Sequence, residues 1–250
     1  MKPFPIFTTH GISPGVTSAT HLSMSDFQKF LERCRSVQSS FSNLKKQDLQ
    51  SDLNSPSLDY RRYVTFDDAL ESVLEAVAMM PFPGTIFVVT GHVGKYNDWA
   101  GQPKWVLREK CLEWSHLQEL IAMGWSVGAH SHSHADLSKL NRVKIQNEIE
   151  FSQKQIEDRL GISCDFFAYP YGNAPEVARE VVERLGMIGL GTVPGWVRPK
   201  SHFNHLPRIE IYDLLKCRSA APMLFRQPTG GELSILQFRR LGGLLLRHLA

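Results

Sequence analysis

Short apolar runs alternate along the chain with segments whose apolar residues recur at helical spacing. The run at residues 6–9 is typical of a buried strand. The next segment has apolar residues at positions i, i+3, i+4 and i+7, namely Phe27, Phe30, Leu31 and Cys34. A period of 3.6 residues brings such positions to one face of a helix, so we predict a helix there.

Six further apolar runs predict strands, and helical patterns separate most of them. The strands are expected at residues 63–66, 85–89, 125–129, 166–168, 188–191 and 208–211, and the helices at residues 70–77, 115–123, 138–160 and 177–185. This alternation indicates an α/β fold with a parallel sheet, open or closed into a barrel. About seven strands suit a barrel, and we expect a single domain over residues 1–211.

Two segments do not follow this alternation. Residues 36–58 are rich in Ser, Gln, Asn and Asp, which predicts a long polar surface loop. Residues 212–250 are expected to form a basic helical tail packed on or beside the barrel, since a helical pattern runs from residue 232 to residue 250.

Composition and charge exclude several classes of protein. With 250 residues, of which 42% are hydrophobic and 21% charged, the chain has an average globular composition, which argues against disorder, collagen and a long coiled coil. The net charge of +3 is unevenly distributed, because residues 196–250 hold nine Lys and Arg against three Asp and Glu. Such a basic end can contact an anionic membrane surface or a glycolipid, or it can be a solvated helix. We expect no nucleic-acid partner.

Three features predict a cytoplasmic protein. No apolar run reaches the roughly 18 residues that a membrane-spanning helix needs, and the N-terminus lacks the apolar core of a secretory signal. The four cysteines, at positions 34, 111, 164 and 217, are too far apart for a zinc finger and are typical of buried residues in a reducing compartment.

Residues with metal-binding or acid–base chemistry follow the predicted strands. Asp67 and Asp68 come after the second strand, where one carboxylate can bind a metal while the other acts as a base, or one can cap the next helix. Residues 130–134 read His-Ser-His-Ser-His. In this segment His130 and His134 can converge on one metal ion if the loop turns helically.

Three more strand boundaries carry candidate residues. Pro170-Tyr171-Gly172 follows the fifth strand and forms a rigid turn that can aim a backbone N–H at an oxyanion. His10 follows the first strand, and Arg208 begins the last one. Because chemistry in parallel barrels collects at one end of the strands, we expect these side chains to gather there.

Together these motifs resemble the polysaccharide deacetylase family, which is carbohydrate esterase family 4 and carries the NodB homology domain. The resemblance covers residues 5–211 and rests on Thr65-Phe66-Asp67-Asp68, His130-Ser131-x-x-His134 and Tyr169-Pro170-Tyr171-Gly172. It implies a deformed (β/α) barrel and a divalent metal, usually Zn2+, with Co2+, Ni2+ or Mn2+ as alternatives. The implied activity is a metal-dependent hydrolysis that removes N-acetyl groups from an N-acetylated amino sugar in a polysaccharide, oligosaccharide or glycolipid.

The resemblance also implies roles for individual residues. The metal ligands would be Asp68, His130 and His134. Asp67 would be the catalytic base, and the backbone N–H of Tyr171 would help to hold the oxyanion.

Substrate contacts are expected from the same turn and from an aromatic residue. Pro170 and Gly172 flank the proposed oxyanion donor. Trp196 is our candidate for stacking on a sugar ring; like Trp99 and Trp105, it lies in a loop-like segment and can equally be a packing residue.

Two positions depart from the family pattern. Ala168 stands where many members have an Arg that pairs with the base, and we predict that Arg208 replaces it beside Asp67. In the family, the general acid is a His from a motif that comes late in the sequence. This sequence has two candidates, which are His248 near the C-terminus and His10 after the first strand. We favour His10, as in a branch whose late motif is permuted to the N-terminus.

The residues also allow three other functions. The chain can be a related metal-dependent amidase acting on a small amide, or a non-catalytic carbohydrate-binding relative. An iron(II) oxygenase would use His134 and Asp136 with His202 or His205, although strand–helix alternation argues against the jelly roll of that class.

Overall fold

The computed structural model describes residues 3–13, 15, 18, 20–54, 61–217 and 221–237. Its ten strands, in chain order, are β1 (Ile6–Thr9), β2 (Gly11–Ser13), β3 (His21–Ser23), β4 (Phe41–Ser42), β5 (Arg62–Phe66), β6 (Thr85–Val88), β7 (Ser126–Ala129), β8 (Phe166–Ala168), β9 (Ile188–Leu190) and β10 (Ile209–Glu210). Seven of them form one parallel sheet in the order β10-β1-β5-β6-β7-β8-β9, while β4 pairs with the start of β5 and β2 pairs with β3.

Helices cover the outside of this sheet. They are α1 (Met24–Cys34), α2 (Lys46–Asn54), α3 (Val73–Met79), α4 (Trp114–Ala122), α5 (Arg142–Leu160), α6 (Glu176–Arg184) and α7 (Ile211–Lys216), with a further helix at residues 230–237. The ends of α5 show why it forms where it does. The Asn141 side chain accepts a hydrogen bond from the Lys144 N–H, and Gly161 ends the helix with a left-handed φ of 67°.

The two edges of the sheet meet through residues 206–210. Leu190 makes a parallel bridge with Leu206, and Ile209, three residues further on, pairs with Phe7 of β1. The sheet therefore curls into a deformed (β/α) barrel, and the predicted α/β fold class is confirmed.

Successive side chains of each strand point alternately to the helices and to the barrel interior. In β5, Val64 and Phe66 join the large apolar cluster formed with the helices, whereas Tyr63 joins the smaller cluster that fills the interior. With a period of two residues, Thr65 and Asp67 also face inward. The alternation of side-chain direction along β5 thus extends to Asp67, at the polar end of the barrel.

The prediction of a polar surface loop over residues 36–58 is wrong for its described part. Residues Arg35–Ser40 form a 3-10 helix, and β4 and α2 follow it. Leu44 and Leu49 are fully buried in the interior cluster. These two buried residues stand among many polar ones, so the segment gives no periodic apolar signal. Leu49, which lies on α2, nevertheless anchors that helix.

The described part of the predicted tail packs on the barrel. Met223, Leu224 and Leu236 are buried in the large apolar cluster, and the Leu224 carbonyl accepts a hydrogen bond from Arg62 Nε of β5 at 3.0 Å. Residues 238–250, which include His248 and much of the basic charge, lie outside the described residues. None of the described helices combines the length and the apolar composition that crossing a bilayer requires.

Candidate active site

Asp67 and Asp68 point in different directions because the chain turns sharply after β5. The Asp67 N–H donates to the Thr9 carbonyl at 3.0 Å, which continues the sheet by one residue. Asp68 and Ala69 then adopt left-handed φ values of 70° and 52°. Such a conformation costs about 1–2 kcal/mol per L-residue, so surrounding contacts must hold the turn.

His130 leaves β7 with a fixed ring orientation. Its N–H donates to the Val88 carbonyl at 2.8 Å, and its Nδ1 donates to the Ala168 carbonyl at 2.7 Å. A proton on Nδ1 leaves the lone pair on Nε2, which is the form that binds metals.

The loop after His130 brings a second imidazole back to the same place. Ser131 and His134 have left-handed φ values of 62° and 56°, and the His134 N–H donates to Ser131 Oγ at 3.0 Å. The loop therefore turns back on itself through two left-handed residues.

Asp68, His130 and His134 form a buried cluster that fits a divalent cation. Asp68 Oδ1 lies 3.5 Å from His130 Nε2 and 3.3 Å from His134 Nε2, and the ligand atoms of all three residues lie within 4.8 Å of one another. Asp68 Oδ1 is buried and has no hydrogen-bond partner among the residues that the structure describes. A buried oxygen without a donor is rare, and a nitrogen–nitrogen–oxygen set of this kind suits Zn2+ and similar ions.

Asp67 forms a buried, bidentate ion pair with Arg208. Arg208 Nη1 and Nη2 donate to Oδ1 and Oδ2 of Asp67 at 2.7 and 2.8 Å, and the Arg208 side chain is 0% exposed. The guanidinium is itself fixed, because Nε donates to the Gly191 carbonyl at 2.9 Å and Nη1 also contacts the hydroxyls of Thr8 and Thr65 at 3.1 Å.

These contacts set the protonation states of the site. Burial favours the neutral form of Asp67, but the positive charge and hydrogen bonds of Arg208 hold the pKa of Asp67 below its usual value. The pKa of Asp68 is lowered in the same way, against the effect of burial, chiefly by His134. Burial lowers the pKa of His130 to about 4. At neutral pH both carboxylates are therefore ionised, and the His130 ring is neutral.

His10 and Tyr171 lie beside this cluster. His10 is close enough for its charge to lower the pKa values of Asp67 and Asp68, and within the described part of the chain its buried Nδ1 has no hydrogen-bond partner. The Tyr171 ring contacts the His134 ring edge-on, with the ring centroids 4.7 Å apart.

The turn at residues 170–172 is rigid. Tyr171 has a left-handed φ of 58°. Gly172 also has a positive φ, of 72°, and a Cβ there would collide with the Thr192 side chain. Only glycine fits this place without strain, while Pro170 is buried beside it.

Comparison with known proteins decides the family of this chain. A sequence model described as polysaccharide deacetylase matches residues 58–189, just over half of the chain. The chain belongs to the polysaccharide deacetylase family.

Among its relatives is the poly-beta-1,6-N-acetyl-D-glucosamine N-deacetylase of Staphylococcus aureus strain MRSA252, which is 27% identical over 165 residues. That alignment covers 60% of this chain and 54% of the relative, so the chain spans about half the length of the curated relatives it first matches.

Two solved structures share the fold. A Streptococcus pyogenes deacetylase, PplD, in complex with acetate superposes with a TM-score of 0.71 at 19% identity, over 91% of this chain and 99% of that one. IcaB from Ammonifex degensii gives a TM-score of 0.67 at 18% identity, over 89% of this chain and 95% of that one.

The structure brings together most of the residues that the sequence singled out. The pair Asp67–Arg208 stands beside the cluster of Asp68, His130 and His134, as the strand-end argument predicted. Their catalytic and metal-binding roles stay predictions.

Trp196 does not lie in the site, which corrects its assignment as a substrate contact. Its side chain is 3% exposed and belongs to the large apolar cluster, and its indole N–H donates to the Met223 carbonyl at 3.1 Å. A ring buried in this way packs the core and cannot stack on a sugar.

The oxygenase alternative is not supported by the geometry. Asp136 caps the 3-10 turn Leu137–Lys139 and accepts hydrogen bonds from Ser138 and Asn173. Among the described residues, the single cluster with metal-ligand geometry includes neither Asp136 nor His202 nor His205.

Trp99 packs inside the protein, which is one of the two roles considered for it. It is 3% exposed and stacks on the His134 ring, with centroids 4.2 Å apart and planes 29° apart. Its partner His134 has no signal in the sequence, because the contact joins two loops that are distant in the chain.

Proposed function

We propose that this chain is a metal-dependent hydrolase that removes N-acetyl groups from an N-acetylated amino sugar in a polysaccharide, oligosaccharide or glycolipid. The observation that carries the proposal is the buried pair of Asp67 and Arg208 beside the cluster of Asp68, His130 and His134. The poly-N-acetylglucosamine deacetylases among its relatives support the substrate class.

The three candidate metal ligands would leave coordination positions open for water and substrate. Asp68, His130 and His134 would hold a divalent ion, with Zn2+ favoured and Co2+, Ni2+ or Mn2+ as alternatives. When bound, such an ion polarises the acetamide carbonyl and lowers the pKa of a coordinated water. Three protein ligands are typical of catalytic sites, because they leave positions for water and substrate.

Asp67 would act as the general base. A carboxylate has about four lone-pair sites and Arg208 occupies two of them, so Asp67 can still accept a proton from the attacking water. The water oxygen forms its bond to the acetamide carbon as that proton moves to Asp67. The bidentate contact keeps the carboxylate oriented during this transfer.

His10 and Tyr171 would complete the reaction. The departing amine nitrogen needs a proton, which His10 would donate. The Tyr171 N–H would donate a hydrogen bond to the oxyanion that develops on the acetamide oxygen. Pro170 and Gly172, which fix this turn, would contact the sugar.

Acetate release tests the proposal. The purified chain is incubated with N-acetylglucosamine oligomers, poly-β-1,6-N-acetylglucosamine, an N-acetylated glycolipid and a small cyclic amide, with and without a chelator. We expect acetate from at least one glycan, loss of activity with chelator, and recovery on adding Zn2+ or Co2+. The Asp67→Asn variant should be inactive, whereas Asp158→Asn, an exposed carboxylate on α5 paired with Lys154, should keep wild-type turnover.

The panel also separates the alternatives. Hydrolysis of the cyclic amide alone would favour the amidase. Glycan binding without acetate release by the metal-loaded protein would favour a carbohydrate-binding relative and would overturn the deacetylase proposal. Faster turnover of the glycolipid in anionic vesicles than in detergent would support membrane contact through the basic tail.

A further inference from the structure

Glu148, on α5, is bonded to the loop that separates two candidate metal ligands. Its Oε2 accepts hydrogen bonds from the backbone N–H groups of His132 and Ser133 at 3.0 and 2.8 Å. Its Oε1 accepts a third hydrogen bond, from the Ser133 hydroxyl, at 2.7 Å. One carboxylate therefore holds two consecutive residues between His130 and His134.

The loop needs such support because its conformation is strained. Ser131 and His134 are both left-handed, and neither is glycine. The N–H groups of His132 and Ser133 have no partner in a helix or strand, so Glu148 supplies the acceptors that regular structure would provide.

The opposite side of the loop is fixed by the 3-10 turn Thr90–His92. The N–H groups of Thr90 and Gly91 donate to the carbonyls of Ser131 and His132 at 3.3 and 2.8 Å. A Cβ on Gly91 would lie 2.7 Å from the His132 carbonyl oxygen, so the two loops touch directly. Glu148 holds the loop's N–H groups and this turn holds its carbonyls, which together fix the path from one imidazole to the other.

We propose that Glu148 is a positioning residue for the metal site: it holds the loop 130–134 in the conformation that brings His130 and His134 onto one ion. The inference rests on the proposed metal site and adds a residue that lies outside the ligand set. Partners of ligands typically change metal affinity about 10–100-fold when they are removed.

Metal affinity provides the test. The Zn2+ dissociation constant of the full chain is measured by competition with a chelator, and the visible spectrum of the Co2+ form is recorded. Glu148→Gln keeps the side-chain volume but offers a neutral, weaker acceptor to the two N–H groups. We expect it to bind Zn2+ about tenfold more weakly or worse and to alter the Co2+ spectrum.

Glu150→Gln is the matched control. Glu150 lies two residues further along α5 and bonds to Gln146 and Arg184, away from the loop. Its variant should bind Zn2+ as the wild type does. The unfolding temperature of the metal-free proteins is measured beside the affinities.

The outcomes distinguish a failure of the proposed metal site from a failure of the role proposed for Glu148. If the wild type binds no metal, the proposed metal site is wrong, whatever Glu148 does. If the wild type binds Zn2+ and Glu148→Gln binds it equally, with the same Co2+ spectrum, Glu148 does not position the site, even if the unfolding temperature falls. If Glu148→Gln does not fold, Ser133→Ala decides: weaker Zn2+ binding supports the inference, and unchanged binding overturns it.

Discussion

Arg208 and Asp67 form a fully buried bidentate pair, although 141 residues separate them in the chain. Arg208 stands just before β10, on the segment that joins the two edges of the barrel, and Asp67 stands just after β5. Closure of the barrel and placement of the candidate base therefore depend on the same short segment.

Replacing Arg208 should reduce turnover and change its pH dependence. Arg208 lowers the pKa of Asp67, so Arg208→Met should raise that pKa and move the acid limb of the kcat/KM profile to higher pH. Breaking a buried ion pair costs about 3–5 kcal/mol, which thermal unfolding will detect. Arg208→Lys keeps the charge but loses the fork geometry, and we expect a kcat below that of the wild type.

The sign of the stability change with pH follows from the same pair. Because the pKa of Asp67 is lower in the folded state, its contribution to stability is present above an unfolded-state pKa of about 3.9 and is lost as pH falls through the folded value. The wild type should therefore lose more stability than Arg208→Met on acidification below about pH 4. Normal turnover by Arg208→Lys with an unshifted acid limb would contradict the role assigned to Arg208.

His10 and His248 are the two candidates for the general acid, and replacing each should have a different effect on kcat. The charge of His10 acts on both Asp67 and Asp68, and its buried Nδ1 has no hydrogen-bond partner in the described ranges. His10→Ala should lower kcat by about 10²–10⁴-fold with little change in metal affinity, because general acid catalysis is worth that much. His248→Ala serves as the comparison and should leave kcat unchanged. A large loss of kcat in His248→Ala, with normal kcat in His10→Ala, would assign the general acid to His248 near the C-terminus.

The strand pattern predicted much of the site, because position along a strand fixes direction. Side chains two residues apart on a strand point to the same side, so Asp67 faces the barrel interior as Tyr63 and Thr65 do. Its place after a buried strand was readable from the sequence. The prediction that Arg208 pairs with Asp67 came from the family resemblance and from its position at a strand start. It did not follow from any local pattern.

Side-chain contacts with the loop 130–134 were not predictable in this way. Trp99 on His134 and Glu148 on Ser133 join segments whose relative positions exist only in the folded barrel. The helix α2 was missed for another reason, since Leu49 is one of very few apolar residues in a polar segment. Periodicity detects faces with several apolar residues, and single anchors are not detected.

Trp99 should stabilise the metal-free fold and keep His134 in place. Removing a buried aromatic ring costs about 3–5 kcal/mol, so Trp99→Ala should unfold at a clearly lower temperature. Trp99→Phe keeps a ring against His134 and should recover part of both stability and Zn2+ affinity. Trp105→Phe, at a side chain that is 49% exposed, is the control and should change stability by less than about 0.5 kcal/mol. Equal stability of Trp99→Ala and the wild type would exclude a packing role for this ring.

Glu109 connects its own segment with those of Ser72 and His21, and its loss should destabilise these contacts together. Its Oε1 accepts a hydrogen bond from the Ser72 N–H at 2.6 Å, and its Oε2 lies 3.0 Å from Nε2 of the buried His21.

Glu109→Ala removes the acceptor of the half-buried Ser72 N–H and the partner of Nε2 on the buried His21, and the loss at a buried group costs about 1–3 kcal/mol. The free energy of unfolding, measured in urea, should therefore fall by several times the change caused by Glu119→Ala, an exposed position on α4. Hydrogen exchange should increase at Ser72 and His21 before it increases in β7. Exchange that rises uniformly through the barrel would mean that Glu109 supports the whole fold and has no special link to the segments of Ser72 and His21.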